Sequence, residues 1–65
     1  MSMDNTIKSL LYKDKYNESN YSKIKDLFLQ NTIYIKPEYF SLFDYITYYD
    51  DVKTLSKMHI VFNTK

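Results

Sequence analysis

The stretch from Pro37 to Asp51, which reads PEYFSLFDYITYYDD, decides the fold. At about 100° per residue its apolar side chains gather on one side of a helix. A proline suits a first helical turn, where its missing N–H costs nothing. We therefore expect a central helix against which the other elements pack. Its predicted buried side consists of Tyr39, Leu42, Phe43, Ile46 and Tyr49.

Two amphipathic segments precede this stretch, and both have helical spacing. The first is predicted to run from an N-cap at Asp4 to about Lys15. The second is predicted from about Tyr21 to Gln30, after a cap at Ser19 or Asn20. Their apolar faces comprise Met3, Ile7, Leu10 and Leu11 in the first helix, and Tyr21, Ile24, Leu27 and Phe28 in the second.

The remaining segments admit two interpretations. Thr32–Lys36 alternates and is β-branched, so it is predicted to be extended. After a cap at Asp50 or Asp51, a helical stripe favours a further helix to about Met58, or on to Phe62. The alternative is that His59–Phe62 is a strand. The stripe consists of Val52, Leu55, Met58, His59 and Phe62.

The preferred fold is mostly α: one small helical domain of residues 1–65, built as a three- to four-helix bundle with Thr32–Lys36 extended. The alternative is α+β, with a short two-stranded ribbon formed by Thr32–Lys36 and His59–Phe62. The chain has no Gly, so turns that need a positive φ must use another residue. We expect asparagine there. The candidates are Asn17, Asn20, Asn31 and Asn63.

The composition excludes most catalytic chemistry. With no Cys and a single histidine, His59, neither a thiolate nor a cluster of metal ligands is expected. Asp50 and Asp51 are adjacent, so on a helix they point apart and do not form a catalytic pair. Without Gly, the usual phosphate-binding loop is not expected either. We therefore predict a protein that is not an enzyme, with no catalytic residue, no cofactor and no metal.

The source and location of the protein can also be inferred. Phe, Tyr, Met, Ile, Asn and Lys make up more than half of the chain, while Gly, Ala and Arg are absent. This bias is typical of an A/T-rich genome, such as that of a virus, a phage or a low-GC bacterium. The sequence predicts no signal peptide and no membrane contact. We expect a cytoplasmic protein, in the host cytoplasm if the source is viral.

Tyrosines outside the predicted core are the candidate partner-binding residues. Tyr45 and Tyr48 are predicted to project away from the buried side of the central helix, beside Asp44. Tyr12 and Tyr16 are placed in the same way on the first helix. Tyrosine is enriched at interfaces because it brings a large contact area at low entropic cost. The alternative is that a second layer of the core buries these rings.

The function predicted from these residues is that of a non-enzymatic protein-binding module. An inhibitor or adaptor encoded by a virus or phage, which occupies a host enzyme or complex, fits best. The first alternative is a nucleic-acid-binding accessory protein, because lysines and tyrosines interleave in both N-terminal helices. The net charge of +1 and the absence of arginine weaken that alternative. The second is a structural subunit that is stable only in an oligomer, such as a homodimer.

Overall fold

The computed structural model describes residues 2–62, and in this range the chain is mostly helical, with one short two-stranded sheet. The mostly α fold predicted from the sequence is confirmed. No helix among these residues combines the length and apolar character that spanning a membrane requires. The helices are α1 (Met3–Tyr12), α2 (Glu18–Gln30), α3 (Ser41–Tyr48) and α4 (Val52–Leu55), with a 3₁₀ turn at Pro37–Tyr39; the strands are β1 (Ile33–Tyr34) and β2 (Ile60–Val61).

The first two helices begin with side-chain caps. The Ser2 hydroxyl accepts the N–H of Asn5 at 3.2 Å, and the Asn17 side chain accepts the N–H of Asn20 at 3.0 Å. Such caps are each worth about 1 kcal/mol. The predicted caps at Asp4 and at Ser19 or Asn20 are therefore wrong, because a suitable polar residue lies just before each of them.

The central stretch is not one continuous helix. Pro37 opens a 3₁₀ turn, and α3 begins only at Ser41. At the other end, Asp50 adopts a left-handed φ of 52°. Its N–H donates to Thr47 at 3.2 Å, and the N–H of Asp51 donates to Ile46 at 2.9 Å. These two bonds form a Schellman motif, with aspartate at the position that usually needs glycine.

Within residues 2–62, positive φ angles occur at Asp14, Tyr16 and Asp50, and not at the asparagines expected there. Asn17 is instead a helix cap, and Asn31 is extended at the end of α2. Asn20 lies within α2, and the fourth candidate, Asn63, lies outside the described residues. The left-handed turn at Asp14 and Tyr16 follows α1 and keeps it from continuing to Lys15, as had been predicted.

The two strands form a parallel ribbon. The register pairs Ile33 with Ile60 and Tyr34 with Val61. The N–H of Ile33 donates to the carbonyl of His59 at 2.9 Å. Because the strands are parallel, this pairing brings the middle of the chain beside residues 60 and 61.

The pairing corrects the preferred interpretation of the C-terminal segment. Helix α4 ends at Leu55, so the predicted helix to Met58 or Phe62 is wrong. The ribbon between Thr32–Lys36 and His59–Phe62, given as the alternative, is present within an otherwise helical fold. The N–H of His59 also donates to the carbonyl of Phe28 at 3.0 Å, which ties the ribbon to α2.

The core lies between α1, α2 and α3. Tyr45 is fully buried because α3 is covered from two sides: its hydroxyl lies 3.5 Å from the Leu11 carbonyl of α1, and its ring stacks on Tyr21 of α2 at 5.7 Å. Phe43, expected in the core, is only half-buried. The buried apolar residues are Ile7, Leu11, Tyr21, Ile24, Phe28, Ile33, Ile35, Tyr39, Leu42, Tyr45, Ile46 and Met58.

Candidate functional site

Three aromatic side chains from α3 and its C-terminal end converge on Tyr16, whose backbone is left-handed with a φ of 62°. The Tyr45 hydroxyl accepts the N–H of Tyr16 at 2.9 Å, and the Tyr49 hydroxyl donates to its carbonyl at 2.6 Å. The Tyr16 ring stacks on Tyr48 with centroids 4.5 Å apart. Behind them, Tyr21 of α2 stacks on both Tyr45 and Tyr49. A left-handed backbone costs a bulky residue about 1–3 kcal/mol, and these contacts hold Tyr16 in place.

At the far side of this tyrosine cluster lies a partly exposed ion pair. The Tyr21 hydroxyl donates to Asp51 at 3.0 Å, and the Lys25 ammonium lies 3.6 Å from the same carboxylate oxygen. Burial, followed by the bond to Asp51, raises the pKa of Tyr21. The Thr54 hydroxyl, with smaller contributions from Tyr21 and Lys25, lowers the pKa of Asp51. An open groove of about 680 Å³ borders this cluster, but the groups named here are already paired with one another.

A second polar cluster joins α1 to the 3₁₀ turn. The Asp4 carboxylate accepts the Tyr39 hydroxyl and lies 2.9 Å from the Lys36 ammonium and 3.3 Å from that of Lys8. These donors, Tyr39 first, hold the pKa of Asp4 below its usual range. Burial, with the hydrogen bond to Asp4 second, raises the pKa of Tyr39 to about 12. Both polar clusters therefore stabilise the packing of one secondary-structure element against another.

Large exposed aromatic side chains lie on the outer side of α3. Phe40 is 53% exposed, Tyr48 64% and Phe62, just after β2, 58%. Phe43 links two of them: its ring centroid lies 6.3 Å from that of Phe40 and 6.4 Å from that of Phe62. The Tyr48 ring lies instead against Tyr16 and Tyr49. We call this surface the α3 face, and define it by Phe40, Phe43, Asp44, Thr47, Tyr48 and Phe62.

Among the five residues predicted to bind a partner, Asp44 and Tyr48 lie exposed on the α3 face. Tyr16 is half-buried beneath Tyr48. Tyr12 is exposed, but its hydroxyl donates to the carbonyl of Glu38. The expectation that Tyr45 is exposed is wrong, since both α1 and α2 cover it.

Two phenylalanines of the α3 face were missed by the sequence reasoning. Phe40 could have been found, because it lies four residues before Asp44 and eight before Tyr48, which places all three on one side of a helix. Phe62 could not, since only the ribbon between distant segments brings it against Phe43.

The charges of the chain are unevenly distributed around this face. Residues 37–52 contain four carboxylates and no lysine, so all nine lysines lie in the rest of the sequence. Asp51 is paired with Lys25. Within residues 2–62, by contrast, no ion pair or side-chain hydrogen bond engages Asp44. The α3 face therefore carries one free carboxylate among aromatic rings.

Comparison of the chain with family profiles, with curated proteins and with solved structures found no match in any of the three.

Proposed function

We propose that this chain is a non-enzymatic protein-binding module that contacts its partner through the α3 face. The observation that carries the proposal is the exposure of three large aromatic side chains, Phe40, Tyr48 and Phe62, each by more than half, on one side of a very small domain. Aromatic side chains of this kind are the commonest anchors of protein interfaces. A contiguous exposed apolar surface is also typical of interaction sites.

The way in which α3 is held supports the same proposal. Its inner side is buried through Leu42, Tyr45 and Ile46, and its C-terminal end is closed by the Schellman motif at Asp50. The exposed rings are thus carried by a helix whose buried side and C-terminal end are both held in place. A rigid surface loses little conformational entropy on binding, so more of the contact energy remains as affinity.

The use of the polar groups supports a binding function over a catalytic one. The two best-organised carboxylates, Asp4 and Asp51, are each occupied by a tyrosine hydroxyl and a lysine. His59, the single histidine, is exposed beside the ribbon. Catalysis usually needs a titratable group that is poised in a cleft and free to meet a substrate.

The biological setting belongs to the proposal as well. The amino-acid composition is typical of an A/T-rich genome. Among such sources we favour a virus or phage, whose small proteins often act by occupying a host component. In that setting the module is an inhibitor or adaptor in the host cytoplasm. Its action is steric: the α3 face covers a surface that the host protein needs for another contact.

The nucleic-acid alternative has weaker support in the arrangement of the lysines and tyrosines. Lys8, Lys25 and Lys36 lie in ion pairs with carboxylates, which leaves fewer cations for phosphates. Tyr21 is buried, and the backbone and ring of Tyr16 are occupied by other tyrosines. Binding to a single-stranded oligonucleotide at low salt, with the steep salt dependence that counterion release causes, would favour that alternative.

The test is an affinity capture from host cells with a substituted α3 face. Phe40→Ser and Tyr48→Ser are combined, and Tyr34→Ser, an exposed ring on β1, is the matched control. We expect the double variant to keep its far-UV circular dichroism and to lose a protein that the wild type and the control retain. With that protein purified, the loss should be about 2 kcal/mol or more. A folded double variant that binds the same proteins with unchanged affinity would refute the proposal.

A further inference from the structure

A carboxylate lies between two exposed rings at the centre of the α3 face. Asp44 follows Phe40 by four residues and precedes Tyr48 by four, and all three side chains are exposed. Residues four apart on a helix are neighbours, with Cβ atoms roughly 6 Å apart. Asp44 therefore lies about one helical turn from an exposed aromatic residue in each direction.

No cation of the described chain covers this carboxylate. The ion pairs formed within residues 2–62 involve Asp4 and Asp51, and none involves Asp44. Lysine is absent from all of residues 37–52, so Asp44 has no cationic neighbour one turn away in either direction. An exposed carboxylate in an acidic and aromatic surface is electrostatically matched to a basic side chain of a partner.

We propose that Phe40, Asp44 and Tyr48 form an anchor site for an arginine of the partner protein. This proposal rests on the proposed function and specifies the chemistry of the partner. A guanidinium can donate two parallel hydrogen bonds to one carboxylate while its flat face lies on an aromatic ring. The exposed Asp44 carboxylate offers the first contact. The exposed ring of Phe40, or the face of Tyr48 that Tyr16 does not cover, offers the second. A lysine fits less well, because its ammonium is a compact, strongly hydrated charge without a planar face.

The identity of the occupant follows from the composition. The chain contains no arginine, so a second copy cannot fill the site. The occupant is a different protein, and its arginine is accompanied by an apolar side chain that packs on the neighbouring Phe43 and Phe62 rings. The site thus selects a basic and apolar segment.

The experiment is a selection of random peptides, displayed on phage, on the immobilised full chain. We expect the selected peptides to be enriched in arginine beside a large apolar residue. Binding of a synthetic selected peptide should weaken about tenfold or more on Asp44→Asn, a loss that corresponds to about 1.4 kcal/mol. Replacing the arginine of that peptide by lysine should also weaken binding. Asp26→Asn, an exposed aspartate of α2, is the matched control and should leave the affinity unchanged.

Several outcomes would overturn the inference. Selected peptides without arginine, or an affinity that Asp44→Asn does not change, would remove the anchor. Equal binding of the arginine and lysine peptides would reduce it to a general cation site. A dimer in sedimentation that Phe40→Ser dissociates would assign the face to a second copy.

The two proposals can also fail separately. If the Phe40 and Tyr48 double variant loses the host protein while Asp44→Asn retains it, the binding function stands and the arginine anchor falls. If the folded double variant retains the host protein, the binding function itself is wrong.

Discussion

Substituting Tyr45 by Phe tests the tyrosine cluster with the loss of a single oxygen atom. The Tyr45 ring is fully buried and remains in place as phenylalanine. The lost hydroxyl is the acceptor of the Tyr16 N–H at 2.9 Å. Since Tyr16 is left-handed, the substitution removes a contact that holds an unfavourable backbone conformation.

The expected loss follows from the partner that is left behind. A half-buried N–H without an acceptor costs about 1–3 kcal/mol. A chain of this length has a total stability of about 3–10 kcal/mol, so the loss is a substantial part of the whole. For a domain of this size, 1 kcal/mol lowers the melting temperature by about 4–8 °C. We expect Tyr45→Phe to melt about 4–24 °C below the wild type.

Two measurements check this expectation. Thermal unfolding followed by far-UV circular dichroism gives the melting temperature. Amide hydrogen exchange gives the protection of the Tyr16 N–H, which should fall more than that of amides in α2. The control is Tyr48→Phe, whose ring is exposed and whose hydroxyl has no hydrogen-bond partner within residues 2–62; it should change stability by about 0.5 kcal/mol at most. If Tyr45→Phe has the same melting temperature as the control and its Tyr16 amide stays protected, the Tyr45 hydroxyl does not stabilise Tyr16 and the prediction is refuted.

Three further predictions concern the core and the polar clusters. Phe28→Ala should lower the free energy of unfolding by about 3–5 kcal/mol, because it leaves a cavity in the core. Phe43→Ala should lower it clearly less, because Phe43 is only half-buried. Urea unfolding measures both values, and equal losses would mean that Phe43 belongs to the core. The pKa of Asp4 is lowered in the fold, so the unfolded chain binds protons more readily, and stability should fall as the pH drops below the ordinary value of 3.8. Asp4→Asn should be less stable at neutral pH and lose less in acid; an unchanged acid profile would contradict this. The pKa of Tyr39 is raised to about 12, so the stability of the fold should fall as the pH rises above 10.0. Tyr39→Phe should also remove one phenolate ionisation near pH 12 from the ultraviolet titration. If that ionisation persists in the variant, Tyr39 is not its source.

Local patterns in the sequence were sufficient to predict the first two helices and much of their buried sides, although Met3 is exposed and Leu10 and Leu27 are only half-buried. Ile7, Leu11, Ile24 and Phe28 are buried as their spacing indicates. Periodicity predicts such faces because each residue of a helix meets the core at a fixed angle. The caps were misplaced by two or three residues, since several polar residues stand near each start and each could serve as a cap.

The ribbon and the breaks in the central stretch depend on contacts that no local pattern records. The alternation at Thr32–Lys36 indicates an extended segment, but its partner lies 27 positions further along, at Ile60. The left-handed turn at Asp50 uses a residue that tolerates positive φ less well than glycine. Its conformation is fixed by the Schellman bonds to α3.

Only part of the candidate site could be predicted from the sequence. Asp44 and Tyr48 were identified, because a polar residue and an off-face ring stand out on an apolar helix. Tyr45 was misassigned, since the width of the buried side depends on how many helices pack against α3. Here α1 and α2 both do, and Tyr45 lies in the arc that they share.

The parallel ribbon also affects the order in which the protein can fold during synthesis. The ribosome releases α1 and α2 early, and their local contacts can form at once. β1 follows, but β2 is synthesised later than every other described element. Until β2 emerges, the unpaired backbone of β1 and the apolar side chains of Ile33 and Ile35 have no strand beside them. A nascent chain of this protein therefore carries an open strand edge from the synthesis of β1 until β2 follows, and a stop codon placed before Ile60 would leave that edge open permanently.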